Sequence, residues 1–330
     1  MVSETRVSSQ VLQPQIRQPK IGILTGPTAS GKTGLAIEFA SALEAGSSPI
    51  EIINADSLLV YRGMNIGTAK PSREELAAIP HHLIDVRDPD QPYNAGDFVA
   101  DVDAVIREIR SRGARPLIVG GTGFYLKALL YGLWESPRST PELRQEIETL
   151  SSDSLYEALF KSDEVSALRI GKNDRYRLVR ATELIRLTGK TPTQLEAEQA
   201  DRPADPRFEL WLIDREAGEL DARIAARTQA MLKEGLVEEC KTLVERFPGA
   251  APLSSIGYAQ VLAYFDGRKP EGRKVRPGLD GLADEITLAT RQLVKRQRTW
   301  FRGQAEGRWF KMDRERGALQ SEFDRIYRTG

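Results

Sequence analysis

Cysteine is almost missing from this 330-residue chain, in which Cys240 stands alone. No intrachain disulfide can form, and no zinc module needing two cysteine ligands can be assembled. Histidine is nearly as scarce. His81 and His82 are adjacent on a probable strand, so their side chains point to opposite faces and cannot chelate one metal. An excess of either charge is also absent, with 47 Lys+Arg against 47 Asp+Glu. No run approaches the ~20 apolar residues of a membrane-spanning helix. The polar N-terminus has no apolar h-region, so residues 1–19 read as a flexible extension. A cytoplasmic monomer without membrane contact is the expectation, and Cys240 reads as a packed thiol.

What is present suffices for a core. Hydrophobic residues make up 40% of the chain and charged residues 28%, and the length predicts about two domains. The charge balance is local rather than uniform: from Gly267 to Gly330 there are 16 Lys+Arg against 9 Asp+Glu, and local fields govern what a surface attracts.

Short apolar runs alternate with helical patterns in the first third. Ile21–Thr25, Ile50–Asn54, His81–Val86 and Pro116–Val119 read as strands; Lys32 to about Leu43 and Ala95–Arg112 read as helices. This alternation predicts an α/β fold with a mainly parallel sheet covered on both faces. Residues 134–206 lose the strand-like runs and read as an inserted all-helical domain between two parts of the core, 20–133 and 207–330. Phe208–Ile213 then returns to the sheet. Long helices are expected over Glu219–Phe247 and Ala283–Gly303.

Gly26-Pro27-Thr28-Ala29-Ser30-Gly31-Lys32-Thr33 fits G-x-x-x-x-G-K-[ST] and follows a strand while opening a helix. Its backbone N–H groups would wrap a phosphate, Lys32 would add a point charge, and Thr33 would place a hydroxyl on Mg2+. The partner acid of a P-loop motor is not at the end of the Pro116–Val119 strand, where Gly120-Gly121-Thr122 stands. It occurs instead as Asp56, past the second strand. Asp56 suits a general base or a magnesium ligand, with a plain helix N-cap as the alternative. Thr122 can hydrogen-bond near a reacting atom, although a tight turn also needs its two preceding glycines.

Three basic segments carry further candidates. Arg291, Lys295, Arg298 and Arg302 form one helical stripe in an acid-free segment, suited to a phosphate backbone or to solvent. Arg177 and Arg180 share a face with Asn173 and Tyr176, a mixture that suits an unstacked base. Arg223 and Arg227, one turn apart, can reach a leaving phosphate or sit on a solvated face.

Taken together, the segments resemble the tRNA dimethylallyltransferase family, also called tRNA isopentenyltransferases. The resemblance rests on GPTASGKT at 26–33, ADSLLVYRGMNIGTAKP at 55–71, PHHLIDVRDP at 80–89 and PLIVGGTGFYLKALLYG at 116–132. It continues with PELR at 141–144, NDRYRLVRATE at 173–183, TGKTP at 188–192, IGY at 256–258 and TRQLVKRQRTWFR at 290–302. It implies a P-loop fold and Mg2+-assisted transfer of a dimethylallyl group from dimethylallyl diphosphate to N6 of adenosine 37 in the anticodon stem-loop of tRNAs that read codons beginning with U. It assigns the base to Asp56, a hydrogen bond near the acceptor nitrogen to Thr122, and diphosphate binding to the P-loop with Arg223 and Arg227. RNA contacts would fall on Asp56, Ser57, Leu58, Leu59, Arg144, Tyr176, Arg177, Leu178, Val179, Arg180, Ser254, Ser255, Ile256, Gly257, Tyr258 and Ala259. Leu59 departs from a usual Gln, Asn65 from a usual Asp and Thr140 from a usual Asp. The lone cysteine forbids the zinc finger of eukaryotic members, so the resemblance is to the bacterial type. Prenyl transfer to free AMP, ADP or ATP, and a P-loop kinase or NTPase, are the alternatives.

Overall fold

The alternating pattern is realised as one six-stranded parallel sheet with helices on both faces. The computed structural model describes residues 19–43, 48–133, 139–268, 274–304 and 306–328; the expected N-terminal extension, apart from Pro19, lies outside them. The first half runs β1 (Ile21–Thr25), α1 (Lys32–Ser41), β2 (Ile50–Asn54), α2 (Arg73–Ala78), β3 (His81–His82), α3 (Ala95–Ser111), β4 (Arg115–Val119) and α4 (Gly123–Tyr131). Five helices follow, with no strand among the described residues: α5 (Pro141–Glu148), α6 (Ser152–Ser162), α7 (Glu164–Ile170), α8 (Arg175–Thr188) and α9 (Pro192–Ala200). The chain then returns through β5 (Phe208–Asp214), α10 (Ala217–Glu234), α11 (Leu236–Arg246), α12 (Tyr258–Phe265), α13 (Gly278–Gln304), β6 (Arg308–Lys311) and α14 (Arg316–Tyr327).

The strand order is β3-β2-β4-β1-β5-β6. The central strands are apolar on both sides because both sides are covered. Ile21, Ile23, Ile53, Ile118, Leu210 and Leu212 enter one core under α3 and α4. Their neighbours Leu24, Ile52, Leu117, Val119, Trp211 and Ile213 enter another under α1 and α14. Parallel pairing places β1, β2 and β4 with their carboxyl ends along one edge, where an open α/β sheet binds ligands.

Three expectations need correction. The third strand stops at His82, because Leu83 and Asp85 take left-handed backbone (φ 59° and 56°) and turn the chain toward the site. The helix expected over Glu219–Phe247 breaks at Gly235, where φ is 103°. The sequence pattern also passed over β6 and α14. Helix α14 packs Leu319, Phe323, Ile326 and Tyr327 onto the sheet. The Tyr327 hydroxyl accepts the Gly22 N–H (3.1 Å) and donates to the Pro116 carbonyl (2.7 Å), joining the starts of β1 and β4.

Helices α5–α8 carry a core of their own from Ile147, Leu155, Leu159, Ala167, Leu178, Val179 and Ala181. Asp163 ties the group internally, accepting from Ser166 N, Thr193 N and the Thr193 hydroxyl. Those donors hold its carboxyl down to about 2 against the burial that opposes ionisation.

Candidate active site

The P-loop passes so close over β5 that a Cβ on Gly26 would lie 2.3 Å from the Ile213 carbonyl oxygen. Ala29 (φ 63°) and Gly31 (φ 90°) curl the chain into α1. The loop's carbonyls are turned toward cations. Lys32 Nζ donates to Gly26 O (3.0 Å) and Pro27 O (2.9 Å). Arg215 Nε donates to Ser30 O (2.7 Å), and Arg223 Nε to Ala29 O (2.8 Å). With the acceptors so occupied, the N–H groups at the start of α1 are left to an anion. Burial lowers the Lys32 ammonium to about 8; Asp56 opposes that shift and Arg227 adds to it. Arg227 reaches Thr28 Oγ1 (3.5 Å) and Thr68 O (3.4 Å). Burial works against its charge and Asp56 supports it.

Asp56 stands at the carboxyl end of β2, held by its neighbours. Its N–H donates to Asn54 Oδ1 (3.0 Å), and its Oδ1 accepts the Leu58 N–H (2.9 Å). Asn54 Nδ2 donates to Asp56 O and Leu83 O, both at 3.0 Å. One carboxylate oxygen is thereby fixed by the turn. A cavity of about 440 Å3 brings Asp56 together with Thr28, Lys32, Thr33, Arg223 and Arg227, and with the apolar side chains of Leu59, Ala69 and Val119. Thr122 begins α4, and its hydroxyl faces Ser57: it accepts the Ser57 N–H (2.9 Å) and donates to Ser57 Oγ (3.2 Å). Gly120 permits this approach, since a Cβ there would lie 2.2 Å from the Ala55 backbone.

Several site-forming residues are not evident from local pattern. Asn54, Arg215 and Gln297 belong to this group, as does Glu239 of α11. The Glu239 carboxylate accepts the N–H groups of Asn65, Ile66 and Gly67 at 2.8–3.0 Å, and the Tyr258 hydroxyl at 2.6 Å. Lys70 fixes the far end of the same loop on Tyr61 O (3.0 Å) and Asp85 Oδ1 (2.5 Å). Between these anchors lie Thr68 and Ala69, which wall the cavity.

The expected RNA contacts divide into two groups. Tyr176 is 71% exposed on α8, with the Arg144 guanidinium 5.9 Å from its ring centroid. Arg144 and Arg180 both pair with the buried Glu183, while Arg177 pairs with Asp174. Ser254 is exposed, and Ser255, Ile256 and Ala259 are partly so. By contrast, Leu178 (0% exposed), Val179 (2%) and Tyr258 (0%) are core residues, so their side chains cannot meet RNA. Gly257 is buried as well.

The basic stripe on α13 is not acid-free in three dimensions. Arg298 donates to Asp214 Oδ1 from Nε (3.0 Å) and from an NH2 (2.6 Å), and also to Arg215 O. Arg291 Nε lies 3.1 Å from Asp221 Oδ1. Neighbouring elements supply the acids that residues 290–302 of the helix lack. Lys295 and Arg302 remain exposed.

Sheet order, phosphate cradle and convergent cations define a P-loop protein. The sequence profile of the "IPP transferase" family matches residues 59–304. Relatives include the tRNA dimethylallyltransferase of Cupriavidus necator, 43% identical over 313 residues (90% of this chain and 92% of the relative). That of Xanthomonas campestris pv. campestris is 40% identical over 321 residues (92% and 93%). Among solved structures, the full-length tRNA isopentenylpyrophosphate transferase of Bacillus halodurans aligns with a TM-score of 0.64 at 32% identity, covering 94% of this chain and 97% of that one. A eukaryotic dimethylallyltransferase acting on tRNA shares the fold with a TM-score of 0.75 at 24% identity, covering 95% and 81%. The chain belongs to the IPP transferase family, whose members here are tRNA dimethylallyltransferases.

Proposed function

We propose that the protein transfers the dimethylallyl group of dimethylallyl diphosphate to N6 of adenosine 37 in tRNAs reading codons that begin with U. The carrying observation is that one cavity holds a phosphate cradle with three cations, Lys32, Arg223 and Arg227, beside the carboxylate of Asp56. A free carboxylate facing such a cradle fits attack by an amine on a carbon whose leaving group is a diphosphate. The allylic C–O bond breaks with its electron pair going to the diphosphate; the N6 lone pair forms the new C–N bond; Asp56 takes the N6 proton. Lys32 and Arg227 stabilise charge as it accumulates on the departing oxygen. Leu59, Ala69 and Val119 offer an apolar wall for the prenyl methyl groups. Thr122, through Ser57, braces the turn that carries Asp56.

Magnesium fits these residues. Among the described residues no cluster of three or more His, Cys, Asp or Glu forms a protein cage, and Mg2+ bound with a diphosphate takes few protein ligands. Thr33, on the cavity wall, would hold the ion. When bound, it would neutralise diphosphate charge.

The reading divides the chain into a catalytic core, 20–133 and 207–330, and a helical insertion, 134–206, that meets the anticodon stem-loop. Tyr176 with Arg144, Arg177 and Arg180 forms an aromatic and cationic platform on the insertion, and Lys295 with Arg302 lies on the core. The adenine must leave its stack to reach Asp56. The protein is expected to act as a cytoplasmic monomer. Incubating it with Mg2+, labelled dimethylallyl diphosphate and unmodified tRNA tests the proposal: label should enter the RNA, and excess AMP should not compete. Label passing to AMP in preference would replace this reading with the free-nucleotide one.

A further inference from the structure

The two halves of the candidate site, the cradle for the leaving group and the turn that braces the base, come from different strands. One side chain spans them. Gln297 accepts the Thr28 N–H at 2.8 Å through its Oε1 and donates from Nε2 to the Gly121 carbonyl at 3.1 Å. The amide uses both ends, with the hydrogen-bond polarity each partner demands, since a backbone N–H can only donate and a carbonyl can only accept. Glutamate could keep the first bond and would lose the second. An aliphatic side chain would lose both.

The bridge is delivered from a helix fixed on several sides. One turn earlier on α13, Val294 packs with Leu220 and Ile224 of α10. The next residue, Arg298, is locked onto Asp214. Further on, Phe301 is buried in the core, and the Trp300 ring lies 2.4 Å from where Gly123 would carry a Cβ. At the other end, Gly121 is the meeting point: its Cβ position is ringed by Gln297 Nε2 (3.4 Å), Gly26 O (3.4 Å) and Lys32 Nζ (3.5 Å). From Gly121 the connection runs on through Thr122, whose hydroxyl holds the Ser57 N–H beside Asp56.

We infer that Gln297 is a positioning residue for group transfer, setting the separation between the phosphate cradle and the turn that carries the acceptor-side groups. The inference rests on the prenyl-transfer reading above. Because the Thr28 N–H is held by the bridge, diphosphate binding falls to the amides further along the loop, so loss of Gln297 affects the reaction more than donor binding.

The test compares wild type, Gln297→Leu and Gln297→Glu in full-length protein, with steady-state kinetics against dimethylallyl diphosphate and tRNA. Gln297→Leu should lower kcat by on the order of 10²-fold, the scale of a misplacement of about 1 Å, with donor KM changing by less than about threefold. Gln297→Glu keeps the side-chain shape and should also lose kcat. A kcat that falls while donor KM holds, in variants that stay folded, is a response that a purely structural role would not give. Retention of kcat within about twofold in both variants overturns the inference, as does a donor KM that rises while kcat holds. Should Gln297→Leu fail to fold, Gln297→Glu alone decides. A wild-type protein that moves no label to tRNA refutes the functional reading instead, so the two failures are distinct.

Discussion

Replacing Arg298 with alanine separates a structural ion pair from an RNA contact. Arg298 holds Asp214 through two hydrogen bonds to Oδ1, and the Asp214 side chain is 3% exposed against 20% for Arg298. Without the guanidinium, Asp214 retains the Arg215 N–H and Lys311 Nζ at 3.8 Å. Removing one partner of a buried pair costs about 3–5 kcal/mol. The remaining partners and the partial exposure reduce that to about 2–3 kcal/mol. At about 2–4 °C per kcal/mol for a chain of a few hundred residues, Tm should fall by roughly 4–12 °C. Urea unfolding should show a lower midpoint with an unchanged m value. Adding Asp214→Asn to the Arg298→Ala protein should restore part of the loss, because the second change removes the stranded charge. Binding of tRNA measured across salt concentrations completes the assay. Arg298→Ala should keep the wild-type slope, whereas Lys295→Ala should flatten it by about one phosphate contact. An Arg298→Ala protein that melts like wild type yet loses salt dependence would refute this reasoning and make the residue an RNA contact.

Lys32, with its ammonium lowered to about 8, should give free-enzyme kcat/KM an alkaline limb near that pH, since the diphosphate needs the protonated form; a limb near the ordinary lysine value would contradict it. Because the folded value lies below the unfolded one, the cost of burying this charge is full below pH 8. It should fade as pH rises toward 10.5, so stability gains from this group over that window. Asp56→Asn should abolish transfer while diphosphate binding survives. It should also move the binding limb to lower pH by removing the charge that supports Lys32, and near wild-type kcat would end the base assignment. Glu239→Ala should raise the donor KM by freeing the Asn65–Gly67 amides and loosening the wall at Thr68, while Tyr258→Phe, losing one bond to Glu239, should cost about 1 kcal/mol. A Glu239→Ala variant with unaltered KM would detach that loop from catalysis.

The cradle was legible in the sequence because eight contiguous residues build it, and each contributes through local backbone geometry. Asp56 was legible by its place after a strand, and the structure sets it on the cavity wall beside Lys32. Asn54, Arg215, Glu239 and Gln297 were not, because each acts on a partner whose proximity only the fold creates; Gln297 and Thr28 are 269 positions apart. The α13 stripe misled for the same reason. Helical spacing states which side chains share a face, but not that β5 and α10 set Asp214 and Asp221 against it. Leu178 and Val179 lie within a recognised motif in which they and Ala181 face the core of helices α5–α8, so motif membership did not distinguish contact from packing. Strand β6 escaped because it is four residues long at a sheet edge with only Phe310 buried, where charged flanks mask the apolar signal.

Tyr327 sets an order on biosynthesis. The strands that present the phosphate loop and the acceptor turn are pinned at their starts by the hydroxyl of a residue made some two hundred positions after the later of them. A chain still emerging from the ribosome therefore carries an unlatched sheet, and the enzyme should gain its working geometry only after residue 327 has cleared the exit tunnel. A protein that modifies the decoding apparatus would thus stay inert until its own residue 327 has been translated.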